Sequence, residues 1–223
     1  MSSELSLRSS LRTRLGVPSE LSLRSSLRTR YVDVTVATSS STDLPLGASL
    51  PPVRLPNVVD GAVVDLSELS SGKRGTLVMF LCNHCPYVVH VRKALAQAAN
   101  SAVERGFAVV AINSNDVVSY PQDGPEAMAG MARDDAWRFP FLFDESQAVA
   151  RAFRAECTPD LYLFDAARLL VYHGQFDDSR PASGKPVTGR DLAAAIDAVS
   201  SGRSPSADQK PCVGCSIKWS APR

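Results

Sequence analysis

Residues 76–91 read TLVMFLCNHCPYVVHV, and no other stretch constrains the fold as tightly. Leu77 to Cys82 is a short apolar run of the kind found in strands buried on both faces. Beyond it, Val88, Val91, Leu95, Ala98, Ala99 and Val103 recur at close to helical spacing. Cys82 therefore ends a strand, and Cys85 opens the helix that follows. Pro86 fits a first-turn position, because the N–H it lacks would have no helical acceptor there. It also biases Cys85 away from the helical region, so the regular helix starts at Pro86.

The rest of the body alternates strand and helix patterns. Val58-Val59 and Val63-Val64 flank Asp60-Gly61, a hairpin signal. FAVVAINS (107–114) is a second buried strand, 125–135 a short helix, and FPFLF (139–143) a third apolar piece. Ser146 fits the N-cap of a helix reaching about Ala155. LYLFD (161–165) and LLVYHG (169–174) read as strands joined by a tight connection. Thr188 caps a last helix containing LAAAIDAV (192–199), which ends near Gly202. A βαβ arrangement, an antiparallel pair and a helix predict an α/β fold, with a central mixed β-sheet flanked by helices on both faces.

Both ends read differently. Residues 3–14 and 19–30 are the same twelve letters, SELSLRSSLRTR. Two Ser/Arg-rich copies cannot stack into a solenoid, which needs about three apolar units. Residues 1–31 carry six Arg and two Glu, net +4, leaving −3 on the remainder. Two readings stand: a disordered tail, or an organelle transit peptide, which is typically Arg- and Ser-rich and acid-poor. A secretory signal is excluded, since no apolar stretch of about 7–15 residues lies near Met1. Residues 38–51 look like linker. The expected division is a disordered extension over 1–50, a domain over 51–203 and a C-terminal tail over 204–223. The expected location is cytoplasmic, or a chloroplast or mitochondrion if the extension is a transit peptide.

The whole chain is near neutral, with 24 basic and 23 acidic side chains. That balance argues against binding nucleic acid mainly through phosphates. The longest apolar runs are six residues, far short of the about 20 that span a bilayer.

The cysteines carry the chemistry. Four of the five form two C-x-x-C pairs, Cys82/Cys85 and Cys212/Cys215, which points to redox or metal chemistry. A helix N-terminus carries about half a positive charge and unpaired N–H groups, and both stabilise a thiolate. The thiolate is the nucleophile of disulfide exchange. A protonated His84 would stabilise a Cys82 thiolate further. Two buried core cysteines are the plain alternative. A four-thiolate zinc site is another, but well over a hundred residues separate the pairs, against a usual spacing of about 15–20.

These residues resemble the thioredoxin superfamily, and more closely its peroxiredoxin-like branch, the alkyl hydroperoxide reductase and thiol-specific antioxidant relatives. The resemblance rests on Cys82-Asn83-His84-Cys85-Pro86-Tyr87, Cys157-Thr158-Pro159-Asp160 and Gly214-Cys215-Ser216-Ile217-Lys218-Trp219, and runs from about residue 52 to 219. It implies a thioredoxin-like fold and a cis Thr158-Pro159 bond beside the C-x-x-C. The residues alone read as an ordinary trans turn before a strand. A bend there would expose the Thr158 backbone for pairing with an extended substrate.

Two departures stand out. Thioredoxins place a buried acid on the strand before the motif, whereas this strand has none and Thr76 is its nearest counterpart. Peroxiredoxins place Thr or Ser three residues before the peroxide-reactive Cys and a Pro further upstream. Here Cys82 and Val78 take those places, so the peroxide pocket looks incomplete.

The expected function is a thiol–disulfide oxidoreductase with an antioxidant role, in which Cys82 attacks and Cys85 resolves. In the alternative thiol peroxidase, Cys85 is oxidised to a sulfenic acid and Cys82 condenses with it. A zinc-binding structural module is the alternative of another class. The enzyme readings call for protein or small-molecule disulfides, or peroxides, and an external thiol reductant. They call for no cofactor, metal, nucleic acid or membrane. Cys157 reads as a small buried residue or a neighbour of the disulfide. Cys212 and Cys215 form either a mobile relay or incidental thiols on a tail packed by Ile217 and Trp219. His90 and His173 read as ordinary surface or core residues, and Asp177-Asp178 as turn contacts.

Overall fold

The computed structural model describes residues 38–40 and 44–221. The duplicated Ser/Arg-rich segment, with its disorder and transit readings, lies outside them. In chain order the elements are β1 (Thr38–Ser40), β2 (Arg54–Pro56), β3 (Val63–Asp65), α1 (Leu66–Leu69), β4 (Gly75–Phe80), α2 (Pro86–Glu104), β5 (Ala108–Asn113) and α3 (Pro125–Asp134). Then come β6 (Phe141–Phe143), α4 (Ala148–Phe153), β7 (Cys157–Thr158), β8 (Asp160–Asp165), β9 (Leu170–His173), α5 (Arg190–Ser200) and β10 (Val213–Ser216). A 3-10 turn, Pro121–Asp123, precedes α3.

A five-stranded sheet of order β6-β5-β4-β8-β9 forms the frame. β4, β5 and β6 run parallel, while β8 and β9 pair antiparallel, so the sheet is mixed as expected. The side-chain period of two sorts the central strands between two cores. Leu77, Met79, Leu81, Val109, Ala111, Leu161 and Leu163 face α2, α3 and α5. Val78, Phe80, Val110, Ile112, Tyr162 and Phe164 face Leu66 of α1 and Val149, Ala150 and Phe153 of α4. Every residue of β4 is buried, which is why it reads as an unbroken apolar run. Phe153 meets Phe80, Tyr162 and Phe164 edge-on at centroid distances of 5.4, 5.3 and 6.1 Å. Among the described residues, no helix is long and apolar enough to cross a membrane.

Local signals were close, and the misses have causes. The hairpin β2–β3 turns through Gly61 at φ 76, a left-handed position that suits glycine. The fourth helix begins at Ala148, with Gln147 rather than Ser146 as its N-cap. Gln147 is held at φ 61 because its amide donates to the carbonyls of Ser114 and Lys218, 2.7 and 2.9 Å away. Its tertiary bonds displace the local cap. The last helix starts after Gly189, one residue past the expected Thr188 cap. There the Asp177 carboxylate accepts the backbone N–H groups of both Thr188 and Gly189 at 2.6 Å. Asp178, its neighbour, pairs with Lys185 and Arg190.

The expected domain limits need correction at both ends. β1 pairs with β10, and β10 pairs with β7, in a second sheet of order β1-β10-β7. Gly47 and Leu50 donate backbone bonds to Leu170 and Arg168, and Ser49 bridges Leu169. Over its described residues, 204–221, the C-terminal stretch is packed down, since Cys212, Cys215 and Ile217 are all buried. Ser- and Pro-rich composition marks a stretch that forms no core of its own. It does not prevent the backbone from pairing with an edge strand.

The Asp177 anchor generates a prediction. Burial pushes its carboxyl pKa up, but the donors of Ser179, Gly189 and Thr188 outweigh burial and hold it at about 2, below the ordinary 3.8. A depressed folded-state pKa gives stability that is complete above the unfolded value and lost as pH falls through the folded one. Asp177→Ala should lower unfolding free energy at pH 7 by about 1–3 kcal/mol, since the N–H groups of Ser179 and Gly189, both buried, lose their acceptor. It should also flatten the loss of stability between 3.8 and about 2. Denaturant unfolding over that acid range tests this, and parallel curves for variant and parent would refute it.

Candidate active site

β4 delivers Cys82 to the end of the central strand, and the nineteen-residue α2 starts at Pro86 with Cys85 as its N-cap, as the sequence indicates. Both sulfurs are buried, each residue being 0% exposed. The Thr158-Pro159 bond is cis, as the resemblance implied, and lies against the pair. The Cys82 sulfur is 3.2 Å from the Thr158 hydroxyl, and that of Cys85 is 3.1 Å from the Thr158 carbonyl oxygen. Four of the expected site residues, Cys82, Cys85, Thr158 and Pro159, thus meet at one point.

A further sulfur joins them. Cys215, on β10, lies with its Sγ 2.7 Å from that of Cys85. Cys212 does not join. Its Sγ donates to the Gly174 carbonyl at 3.0 Å. A C-x-x-C pair can face one way around a helix start, but in extended chain residues three apart point to opposite faces, about 10 Å along. The expected Cys212–Cys215 relay pair is therefore split, and the four-thiolate zinc site is not assembled. Cys157 is a buried residue of β7 with its Sγ 3.6 Å from the Pro159 carbonyl.

The direction of the thiol pKa shifts departs from expectation. Cys85, not Cys82, is the thiol whose pKa is driven well down. The S–H groups of Cys215 and Cys82 donate to it. Burial opposes them, and the backbone N–H groups of Val88 and Cys215 add to them. The Thr158 carbonyl favours the protonated thiol but is one acceptor against four donors. Cys82 is raised instead, by donating to Cys85, by burial and by the nearby Asp123 carboxylate. Cys215 is raised by donating to Cys85 and by burial. The physical reason is placement: Cys85 lies between two other sulfurs and is the one on which their S–H groups converge.

His84 finds a carboxylate partner. Its Nδ1 lies 2.6 Å from Oδ2 of Asp123, and its ring stacks on Tyr120 at 5.3 Å. Asp123 is fully buried and also accepts the N–H groups of Asn83 and His84 and the Asn115 amide, at 2.8, 3.2 and 2.8 Å. Burial pushes its carboxyl up, but His84 and Asn115 outweigh burial and lower it. One ligand atom from each of Cys82, His84 and Asp123 lies within 4.8 Å of the others. Within the chain Cys82 meets the Thr158 hydroxyl, and His84 and Asp123 meet each other.

Asp123 is the residue that sequence reading missed. Thr76, the suggested counterpart of the thioredoxin acid, is buried at the far end of β4, about 20 Å along the strand from Cys82. The acid comes from the 3-10 turn before α3, placed by Asn113 and Asn115 at the end of β5. No spacing rule links that loop to the C-x-x-C; the run Asn113-Ser114-Asn115 closing a buried strand was the only trace.

The AhpC/TSA family matches residues 46–173. An uncharacterized conserved protein from Geobacillus kaustophilus is 48% identical, with TM-score 0.80, over 83% of this chain and 98% of that one. A hypothetical protein from Sinorhizobium meliloti is 45% identical, with TM-score 0.79, over 82% and 99%. Peroxidoxin BcpB from Mycobacterium tuberculosis is similar in fold, at TM-score 0.53 and 17% identity over 73% and 100%. No curated protein sequence matches the chain. With the family match covering more than half its length, the chain, on a thioredoxin-like fold, belongs to the AhpC/TSA family.

Proposed function

We propose that this protein is a thiol–disulfide oxidoreductase with an antioxidant role, and that the Cys85 thiolate is its nucleophile. The observation that carries the reading is the Cys85 sulfur at the start of α2, with N–H and S–H donors converging on it and the Cys82 thiol beside it. The thiolate attacks one sulfur of a protein or small-molecule disulfide, and the other sulfur leaves as a thiolate. Cys82 then loses its proton and attacks Cys85. The Cys82–Cys85 disulfide closes and the second substrate sulfur leaves. An external thiol reductant returns the two electrons by the reverse exchange. The His84–Asp123 pair close to Cys82 supports this reading as a route for the Cys82 proton.

A second reading, peroxide reduction, has one observation in its favour. Neither Cys82 nor Cys85 has exposed surface, which suits a small oxidant. There the Cys85 thiolate attacks the O–O bond, water or alcohol leaves, and a sulfenic acid forms. Cys82 condenses with it and releases water. Against it stand Val78 and Cys82, where the resemblance calls for a proline and a hydroxyl.

Two predictions separate these readings. Reduced protein should hold one thiolate, seen by ultraviolet absorbance near neutral pH, that vanishes in Cys85→Ser and survives in Cys82→Ser; the opposite pattern would return the nucleophile to Cys82. Cys85→Ser should also slow disulfide reduction at least about a hundred-fold, as loss of a nucleophile does. Stopped-flow oxidation with hydrogen peroxide decides the second reading. Disulfide exchange predicts peroxide oxidation no faster than that of a free thiolate, and a large excess over that rate establishes the peroxidase.

A further inference from the structure

In this structure, the edge that a bend at Thr158-Pro159 offers to an extended substrate is already taken. β10 lies antiparallel on β7, with Cys215 opposite Thr158 and Ser216 opposite Cys157. This register brings the Cys215 sulfur to 2.7 Å from Cys85. Gly214 makes the approach feasible. A Cβ there would sit 2.0 Å from the Thr158 oxygen and 2.6 Å from its carbonyl carbon, contacts with rigid backbone that no side chain can hold. On its other edge β10 is closed by β1, with Thr38 opposite Cys215.

The strand is strapped down beyond the contact as well. Ile217 donates to the Glu156 carbonyl, and the Lys218 backbone joins Asp116 and Asn115 at 2.8 and 2.9 Å. Arg151 stacks over Trp219 at 4.5 Å. Asn115 thus holds both the β10 segment and Asp123, the acid behind His84.

We propose that β10 is a built-in substrate strand and that Cys215 is a third exchanging thiol, sharing Cys85 with Cys82. The inference rests on the reading of Cys85 as the redox nucleophile. Once the Cys82–Cys85 disulfide has formed, the Cys215 thiol gives its proton to solvent and its sulfur attacks Cys85. The Cys82–Cys85 bond breaks, and its electron pair leaves on Cys82, which takes up a proton. The product is a Cys85–Cys215 disulfide and a Cys82 thiol. No electrons are gained or lost, so no further oxidant is needed. While β10 stays in place Cys85 has no exposed surface, so a disulfide from another molecule must displace the strand to reach it.

The test uses the full chain equilibrated in glutathione redox buffers, trapped by alkylation and mapped by peptide mass spectrometry. Cys82→Ser should form the Cys85–Cys215 disulfide, and Cys215→Ser the Cys82–Cys85 disulfide. The parent should yield both. Gly214→Ala should keep Cys82–Cys85 and lose Cys85–Cys215 by about ten-fold or more. If Cys82→Ser yields only a glutathione adduct on Cys85, with Cys82–Cys85 as the sole parent disulfide, the third-thiol proposal fails and the oxidoreductase reading stands. If no variant forms any disulfide at Cys85, both fail. Should Gly214→Ala not fold, the Cys82→Ser map decides alone.

Discussion

The proposed chemistry depends on holding a sulfur anion at Cys85 without water. Removing a charge from water costs several kcal/mol even after the protein relaxes around it. Hydrogen bonds to charged groups return about 1.5–3 kcal/mol each, so one donor cannot offset the cost and three or four can. Cys85 has the Cys215 and Cys82 thiols and the backbone N–H groups of Val88 and Cys215. They come from β4, α2 and β10, and none of these elements alone would lower the thiol. The anion therefore exists only in the assembled fold.

The same convergence explains the asymmetry between the cysteines. Cys82 and Cys215 act as donors to one sulfur and are made poor acids by that role. Cys85 can then close a bond with either neighbour, and relative position decides which. On the Cys82 side stand His84 and Asp123, a pair suited to moving a proton. On the Cys215 side stands Lys218, the cation that eases its thiol back toward ionisation. The centre has two exits, each with its own electrostatics.

The platform beneath is less specialised. β4 is buried across its whole length and flanked by β5 and β8, so the end of the strand is fixed in position by packing on both faces. That rigidity lets a 2.7 Å contact between residues 130 positions apart persist. Gly214 lets β10 approach the Thr158 carbonyl more closely than any side chain at that position would allow.

What the chain shows by itself is what local physics decides. The buried run before Cys82, the helical spacing after Pro86 and the Asp60-Gly61 turn each depend on neighbours within about one or two turns of chain, and each was legible. Thr158 and Pro159 were readable only through a resemblance, since the residues alone suit a trans turn. Four features needed the tertiary structure. Asp123 reaches His84 from a separate loop. Cys215 reaches Cys85 through a strand whose composition reads as tail. Cys212 is parted from Cys215 because the segment is extended, not helical. The thiol pKa is lowered at Cys85 and raised at Cys82, because the pKa of a buried group is set by the donors around it. Those donors come from far along the chain, and sequence spacing carries no record of them.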